Sequence, residues 1–176
     1  MLKIVSIILL VLLGALLLLA SRQPDSFAIE RAVVIAAPAE AIFPKIADLH
    51  QWSAWSPYDK LDPAMKKVFN GTPGAAGASM YWSGNAKAGE GTMTMRELMP
   101  PSKLTMQLDM LKPIEGHNVV EFNLEPAEGG TRVTWAMRGP NSFLSKIAGV
   151  FMNMDTMIGK DFEDGLASLK TQVEAK

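Results

Sequence analysis

The chain contains no cysteine. Disulfides, thiolate catalysis and cysteine-ligated metal or iron–sulfur centres are therefore excluded, while the redox compartment stays open. Histidine is almost as scarce, with only His50 and His117. They form no pair at helical spacing, so no metal site is expected. Charge of one sign never accumulates: Lys+Arg is 17, Asp+Glu is 18 and the formal net charge is -1. Without a basic run or stripe, neither nucleic acid nor electrostatic docking on anionic lipid is expected. A nucleophile elbow, a phosphate loop and a dinucleotide fingerprint are missing too. No catalytic residue and no cofactor is assigned on this reading.

What the sequence does have is a long uncharged run. Residues 4–20 are apolar apart from Ser6 and are flanked by Lys3 and Arg22. A helix of that length spans about 26 Å, slightly less than the hydrocarbon core of about 30 Å, and snorkelling flanks or local thinning absorb the difference. A cleaved signal peptide has a shorter apolar stretch, about 7–15 residues, and a small-x-small site. Here Leu18-Leu19-Ala20 sets a bulky leucine where a small residue is wanted. The run is apolar on every face, unlike a buried soluble helix. It reads as an uncleaved single-pass membrane anchor, with residues 1–26 as anchor and linker and 27–176 as the domain. Lys3 favours a cytoplasmic N-terminus, whereas Arg22 and Arg31 lie on the other side. A short basic start before an apolar run resembles an export signal, which puts the domain outside the cytoplasm.

Residues 27–35 are rich in branched side chains and read as a strand. Pro38 opens a short helix carrying Ile42, Phe43 and Ile46, and Pro44 within it argues for a break or kink. Residues 48–55 suggest another short helical piece. From Lys66 onward the apolar period becomes two. Met80 and Trp82, then Met93 and Met95, then Leu104, Met106, Leu108 and Met110, then Val120, Phe122 and Leu124, then Val133, Trp135 and Met137 alternate with neighbours that are mostly polar, Val119 and Ala136 being exceptions. These are half-buried strands of an antiparallel meander. The period then returns to helical. Phe143, Ile147, Val150, Phe151, Met154, Ile158, Phe162, Leu166, Leu169 and Val173 form one apolar stripe, which Gly149 or Gly159 interrupts if anything does. Gly165 sits in the middle of that face, for close packing on the sheet or to leave room for something bound. The fold class is α+β, a curved sheet holding a long C-terminal helix.

Five segments in this order resemble a known family. They are Ala37-Pro38-Ala39-Glu40-Ala41-Ile42-Phe43, Trp52-Ser53-Ala54-Trp55-Ser56-Pro57, Gly89-Glu90-Gly91-Thr92-Met93-Thr94, Gly130-Thr131-Arg132-Val133-Thr134-Trp135 and Phe162-Glu163-Asp164-Gly165-Leu166-Ala167-Ser168-Leu169-Lys170. Together they are similar to the polyketide cyclase/dehydrase and lipid-transport family of the START-like (SRPBCC) superfamily, over residues 27–175. The resemblance implies the helix-grip fold, with a hydrophobic cavity between sheet and helix. It also implies a ligand among lipids, steroids or polyketides, and only a minority of members do chemistry. One fold hosts many functions, so the site is argued separately.

Strand parity and the helical stripe turn Met93, Met95, Met106, Leu108, Phe122, Trp135, Met154 and Ile158 toward such a cavity. Trp82 joins them, and Trp52 and Trp55 cover one end. Those two tryptophans and Tyr58 read equally as a buried plug of the short-helix layer or as groups resting on a membrane surface. Twelve methionines make a soft, adaptable lining or ordinary core filler. His50, His117, Asp155 and Glu97 are the polar groups with any prospect of entering the interior. Glu97 is in line with Met93, Met95 and Met99. The expected partners are a hydrophobic small molecule or lipid, and the membrane through residues 4–20. A cyclase or dehydratase using the same cavity is the enzymatic alternative, and a protein-interaction domain with a collapsed cavity is the third.

Overall fold

The structure is a computed structural model describing residues 2–175. Helix α1 (Leu2–Ser21) is followed by strand β1 (Ser26–Ile35), helix α2 (Ala39–Ala47) and two 3-10 segments, Leu49–Ala54 and Pro57–Leu61. Strands β2 (Lys66–Asn70), β3 (Ser79–Ser83), β4 (Glu90–Met99), β5 (Lys103–Lys112), β6 (Gly116–Ala127) and β7 (Gly130–Pro140) come next. Helices α3 (Phe143–Phe151) and α4 (Met154–Glu174) end the described chain. The strands form one antiparallel sheet in the order β1-β7-β6-β5-β4-β3-β2. β2 is an addition to the strands expected from alternation. It is a five-residue edge strand whose inward positions are Lys67 and Phe69 and whose Val68 is exposed, so apolar and polar residues do not alternate along it.

Register carries the apolar side chains of adjacent strands to the same face. Met80 pairs with Met93, Met93 with Leu108, Met95 with Met106, Leu104 with Phe122, and Phe122 with Trp135. The β4–β5 register shifts at two places, between Glu90 and Gly91 and between Met95 and Glu97, and the second changes which side chains face the core. Met95 pairs with Met106 but Glu97 pairs with Thr105, so Arg96 is an extra residue in β4. Such a bulge reverses the parity beyond it. Leu98 therefore turns toward the core, while Glu97 and Met99 are exposed. This corrects the expectation that Glu97 aligns with Met93 and Met95.

Helix α2 buries Ile42, Phe43, Ile46 and Ala47 and runs through Pro44, which lies on its exposed side, without ending there. The C-terminal stripe is two helices rather than one. The division falls at Met152 and Asn153, not at Gly149 or Gly159. The Asn153 side chain accepts the Thr156 N–H at 3.0 Å and so caps α4. Phe162, Leu166 and Leu169 of α4 are buried against the sheet; each such burial stabilises the fold by about 1.5–3 kcal/mol. Helix α3 packs on α1 instead.

Arg31 on β1 ties the sheet to α4. Its Nε donates to Glu163 Oε1 at 2.8 Å and its Nη2 to Asp155 Oδ2 at 3.2 Å. The guanidinium lies so close over Gly159 that a Cβ there would be 2.0 Å from Nη2. Asp155, Gly159 and Glu163 are one helical turn apart along α4, so one face of the helix forms the seat for one arginine. Asp155 is thus a structural partner of β1, not an interior carboxylate.

Candidate functional site

The middle of the sheet–helix interior is filled by rings. Trp52 and Trp55 arrive on the 3-10 segment whose start is capped by Asp48, with the His50 N–H 3.0 Å from Asp48 Oδ1. Their indole N–H groups donate to Ile46 O at 2.8 Å and Lys45 O at 3.1 Å, which fixes both side chains to α2. Trp52 and Trp55 lie 4.8 Å apart, and Trp55 meets Trp135 edge-on at 5.6 Å. Trp135 stacks with Phe122 at 5.0 Å and with Phe162 of α4 at 4.1 Å and 8°. Of the alternatives for Trp52 and Trp55, the structure gives the buried plug of the short-helix layer. Gly165 serves close packing: a Cβ there would stand 2.8 Å from Trp135 Cζ3 and 3.0 Å from Pro57 Cδ.

The tryptophans differ in one respect. Trp82 donates to Ala88 O at 3.1 Å, as Trp52 and Trp55 do to their own carbonyls. Trp135 is 2 % exposed, and its Nε1 has no hydrogen-bond partner among the described residues. A buried N–H without an acceptor costs about 1–3 kcal/mol.

Toward β3, β4 and β5 the interior changes character. Met80, Met93, Met95 and Met106 are buried there, whereas Trp82 and Leu108, with Ile158 of α4, are half-buried at its margin. Met154 stands apart from this group. It lines a depression of about 500 Å³ together with Phe27, Val150, Phe151 and Met152.

Both histidines are on the outside. His50 is exposed, 2.9 Å from Asp48 Oδ1 and stacked on Phe69 at 4.0 Å. His117 is exposed and its Nδ1 is 2.7 Å from Asp109 Oδ1. That hydrogen bond raises the His117 pKa above its ordinary value, and it holds the Asp109 carboxyl below its own. Sequence reasoning named Tyr58 only as an aromatic side chain and did not foresee the charged groups around the second 3-10 segment. Burial raises the Tyr58 phenol, with the Asp161 charge adding to it, and burial followed by the Asp164 charge raises Asp161. Asp59, adjacent to Tyr58 in the chain, pairs with Lys67, and its second oxygen Oδ2 is buried with no hydrogen-bond partner among the described residues. The signal was faint, since Lys67 becomes visible as a partner only once β2 is known to be a strand.

No group of His, Cys, Asp and Glu able to hold a metal is found among the described residues. One helix among them, Lys3–Ser21, is long and apolar enough to cross a membrane, a test that signal sequences also pass.

Residues 26–174 match the family model described as polyketide cyclase / dehydrase and lipid transport. The chain belongs to this family. No curated protein matches it. Among solved structures, the polyketide cyclase-like domain is similar to a Chromobacterium violaceum protein, CV1439. The TM-score is 0.60 at 15% identity, covering 88% of this chain and 100% of that one. It is similar also to the di-domain ARO/CYC BexL from the BE-7585A biosynthetic pathway, with a TM-score of 0.63 at 14% identity. That match covers 90% of this chain and 53% of BexL, so this chain spans about half of its length. A third likeness is to Aha1 from Colwellia psychrerythraea, with a TM-score of 0.53 at 17% identity over 84% of this chain and 96% of that one. At these identities the likenesses show the fold. The polyketide cyclase-like fold is that of a ligand-binding domain.

Proposed function

We propose that the chain is a membrane-anchored domain that holds one hydrophobic small molecule or lipid between its sheet and α4. The observation that carries this reading is the Trp135 indole N–H. Among the described residues it is an unpartnered donor in an interior packed with Trp52, Trp55, Phe122 and Phe162, with Met93, Met95 and Met106 buried further along the sheet. Small-molecule sites are mostly apolar with a few polar groups that fix orientation. A ligand with an apolar body and one oxygen acceptor, a carbonyl or a hydroxyl, matches both features. The methionines on β4 and β5 suit a ligand of variable shape, because thioether side chains repack easily. Trp82, Leu108 and Ile158, half-buried at the margin, are the side chains that would move as it enters. Trp52, Trp55 and Phe122 then act as the fixed wall, and Met154 lies at the outer end of α4.

The test is quenching of tryptophan emission in the full chain by a brominated fatty acid. Saturable quenching is expected. The Trp135→Phe chain should lose the largest share of it, and Met95→Trp should weaken binding by filling space. Quenching that never saturates, and that neither substitution alters, would sink the interior site and leave a surface interaction role.

A further inference from the structure

The exposed apolar residues of the folded domain are not evenly spread. Leu61, Val68, Met99 and Leu111 are single and scattered, which is ordinary for a soluble surface, and α4 exposes one more, Met157. By contrast Phe143, Leu144, Phe151 and Met152 are gathered on α3 and its last turn, with exposures of 56%, 57%, 74% and 47%. The one charged residue of α3 does not interrupt them. Lys146 is largely shielded and its Nζ is 2.5 Å from Asp25 Oδ1, turned back toward the linker. The outward surface of α3 therefore carries no charge.

The same helix is held to the end of α1. The Asn141 N–H donates to Asp25 O at 2.8 Å and its side-chain amide to Pro24 O at 3.0 Å, so α3 starts beside the linker. In α1 the shielded side chains are Leu16, half-buried, and Ala20, fully buried. These are one turn apart on one face, and α3 is the element packed on α1. At 1.5 Å per residue, Leu16 lies about 6 Å along the axis from Ala20. If α1 crosses a bilayer and leaves it near Ala20, α3 lies within roughly that depth of the boundary. Helices that lie flat in the interface bury their apolar face by about 5–10 Å.

We propose that α3 is a membrane-interface helix, and that bilayer lipid is what covers Phe143, Leu144, Phe151 and Met152. The inference rests on the reading of α1 as an anchor. It deepens the proposed function, because the depression between the linker, α3 and α4, with Phe27, Val150, Phe151 and Met154 on its apolar side and Gln23, Asn141, Lys146 and Asp155 on its polar side, then opens at the lipid surface. A hydrophobic ligand would reach the domain from the bilayer without crossing water.

The absence of cysteine makes the test direct. The full chain carrying a single Leu12→Cys, Leu144→Cys, Phe151→Cys or Ala167→Cys is labelled with a polarity-sensitive fluorophore. Each is reconstituted in phosphatidylcholine vesicles containing lipid spin-labelled near the headgroup end of the acyl chain. Emission from Leu144→Cys and Phe151→Cys should shift to the blue and lose intensity as the spin-labelled fraction rises. Ala167→Cys, on the exposed side of α4, should stay water-like and unquenched. A water-like signal from both α3 sites with a membrane-embedded signal from Leu12→Cys would overturn the α3 inference and leave the anchor standing. A water-like signal from Leu12→Cys would overturn the anchor and the inference with it. Equal quenching at Ala167→Cys would overturn the assignment to α3, since the whole surface would then be adsorbing.

Discussion

Helices α3 and α4 share one apolar stripe in the sequence but have different partners. Helix α4 places Phe162, Leu166 and Leu169 on the sheet and is fastened at both ends. Arg31 grips its first turns, and Lys170 donates to Val34 O at 2.7 Å near its last. Helix α3 has no fully buried side chain and packs mainly on α1. A period of 3.6 therefore reports that a helix has an apolar face, not what that face meets. The stripe is continuous because both partners, the protein interior and the proposed lipid surface, are apolar.

The comparison is easiest to break by deletion of side chains. Phe162→Ala or Leu169→Ala should destabilise the domain by about 2–5 kcal/mol in a denaturant titration, as other full truncations of buried residues do. Phe151→Ala should stay within about 0.5 kcal/mol, the range for surface positions. Equal losses at Phe162 and Phe151 would mean that both helices belong to one core.

Glycine substitutions sharpen it further. Gly165→Ala must displace Trp135 or Pro57, and overpacking of this kind costs about 1–3 kcal/mol. At Gly149, in α3, an added Cβ meets nothing within 4 Å. Gly149→Ala should stabilise by about 0.4–1 kcal/mol, because it only restricts the unfolded chain. The sign of the change in thermal midpoint distinguishes the two helices without any assumption about membranes.

The smallest effect lies away from both helices, at His117. Its folded-state pKa is raised by Asp109, so the stability the pair contributes is present below the ordinary histidine value of about 6.5 and is lost as pH climbs through the folded value. The Asp109 pKa is lowered, so that carboxyl's contribution is lost as pH falls through the acid range. Proton NMR of the His117 ring should give a midpoint above 6.5, returning toward it in Asp109→Asn. His117 is exposed, so the accompanying change in stability should be slight.

The strands were legible because alternation reports a half-buried sheet directly, and Met80, Met95, Met106, Phe122 and Trp135 are all buried as parity requires. It misled only beyond Met95, where an inserted residue leaves no mark in composition. The break between α3 and α4 was sought at glycines, whereas the chain uses a capping asparagine, Asn153. An Asn before a helix start with an acidic first turn, here Asp155, is a readable signal. The grip of Arg31 was hidden because its partners are more than a hundred residues away. The spacing of Asp155, Gly159 and Glu163 was visible, but nothing in it names the cation. In the interior, strand parity put Phe122 and Trp135 on one face, but it left open whether Trp52 and Trp55 cover one end of a cavity, form a buried plug or rest on a membrane. It gave no hint that one indole alone would lack a partner, since that depends on which backbone carbonyls fold within reach.

The central proposal is that a hydrophobic molecule lodges beside Trp135 by displacing side chains that pack there in the structure. Lipid clinging to α1 would accompany the full chain in any case, so the decisive measurement is a difference. Small molecules are extracted from the purified full chain and from its Trp135→Phe and Met95→Trp forms and compared by mass spectrometry. The account predicts an oxygen-bearing hydrophobic species near one per chain in the parent, depleted in both substituted forms, over a common background of bulk lipid. Identical extracts from all three would contradict it.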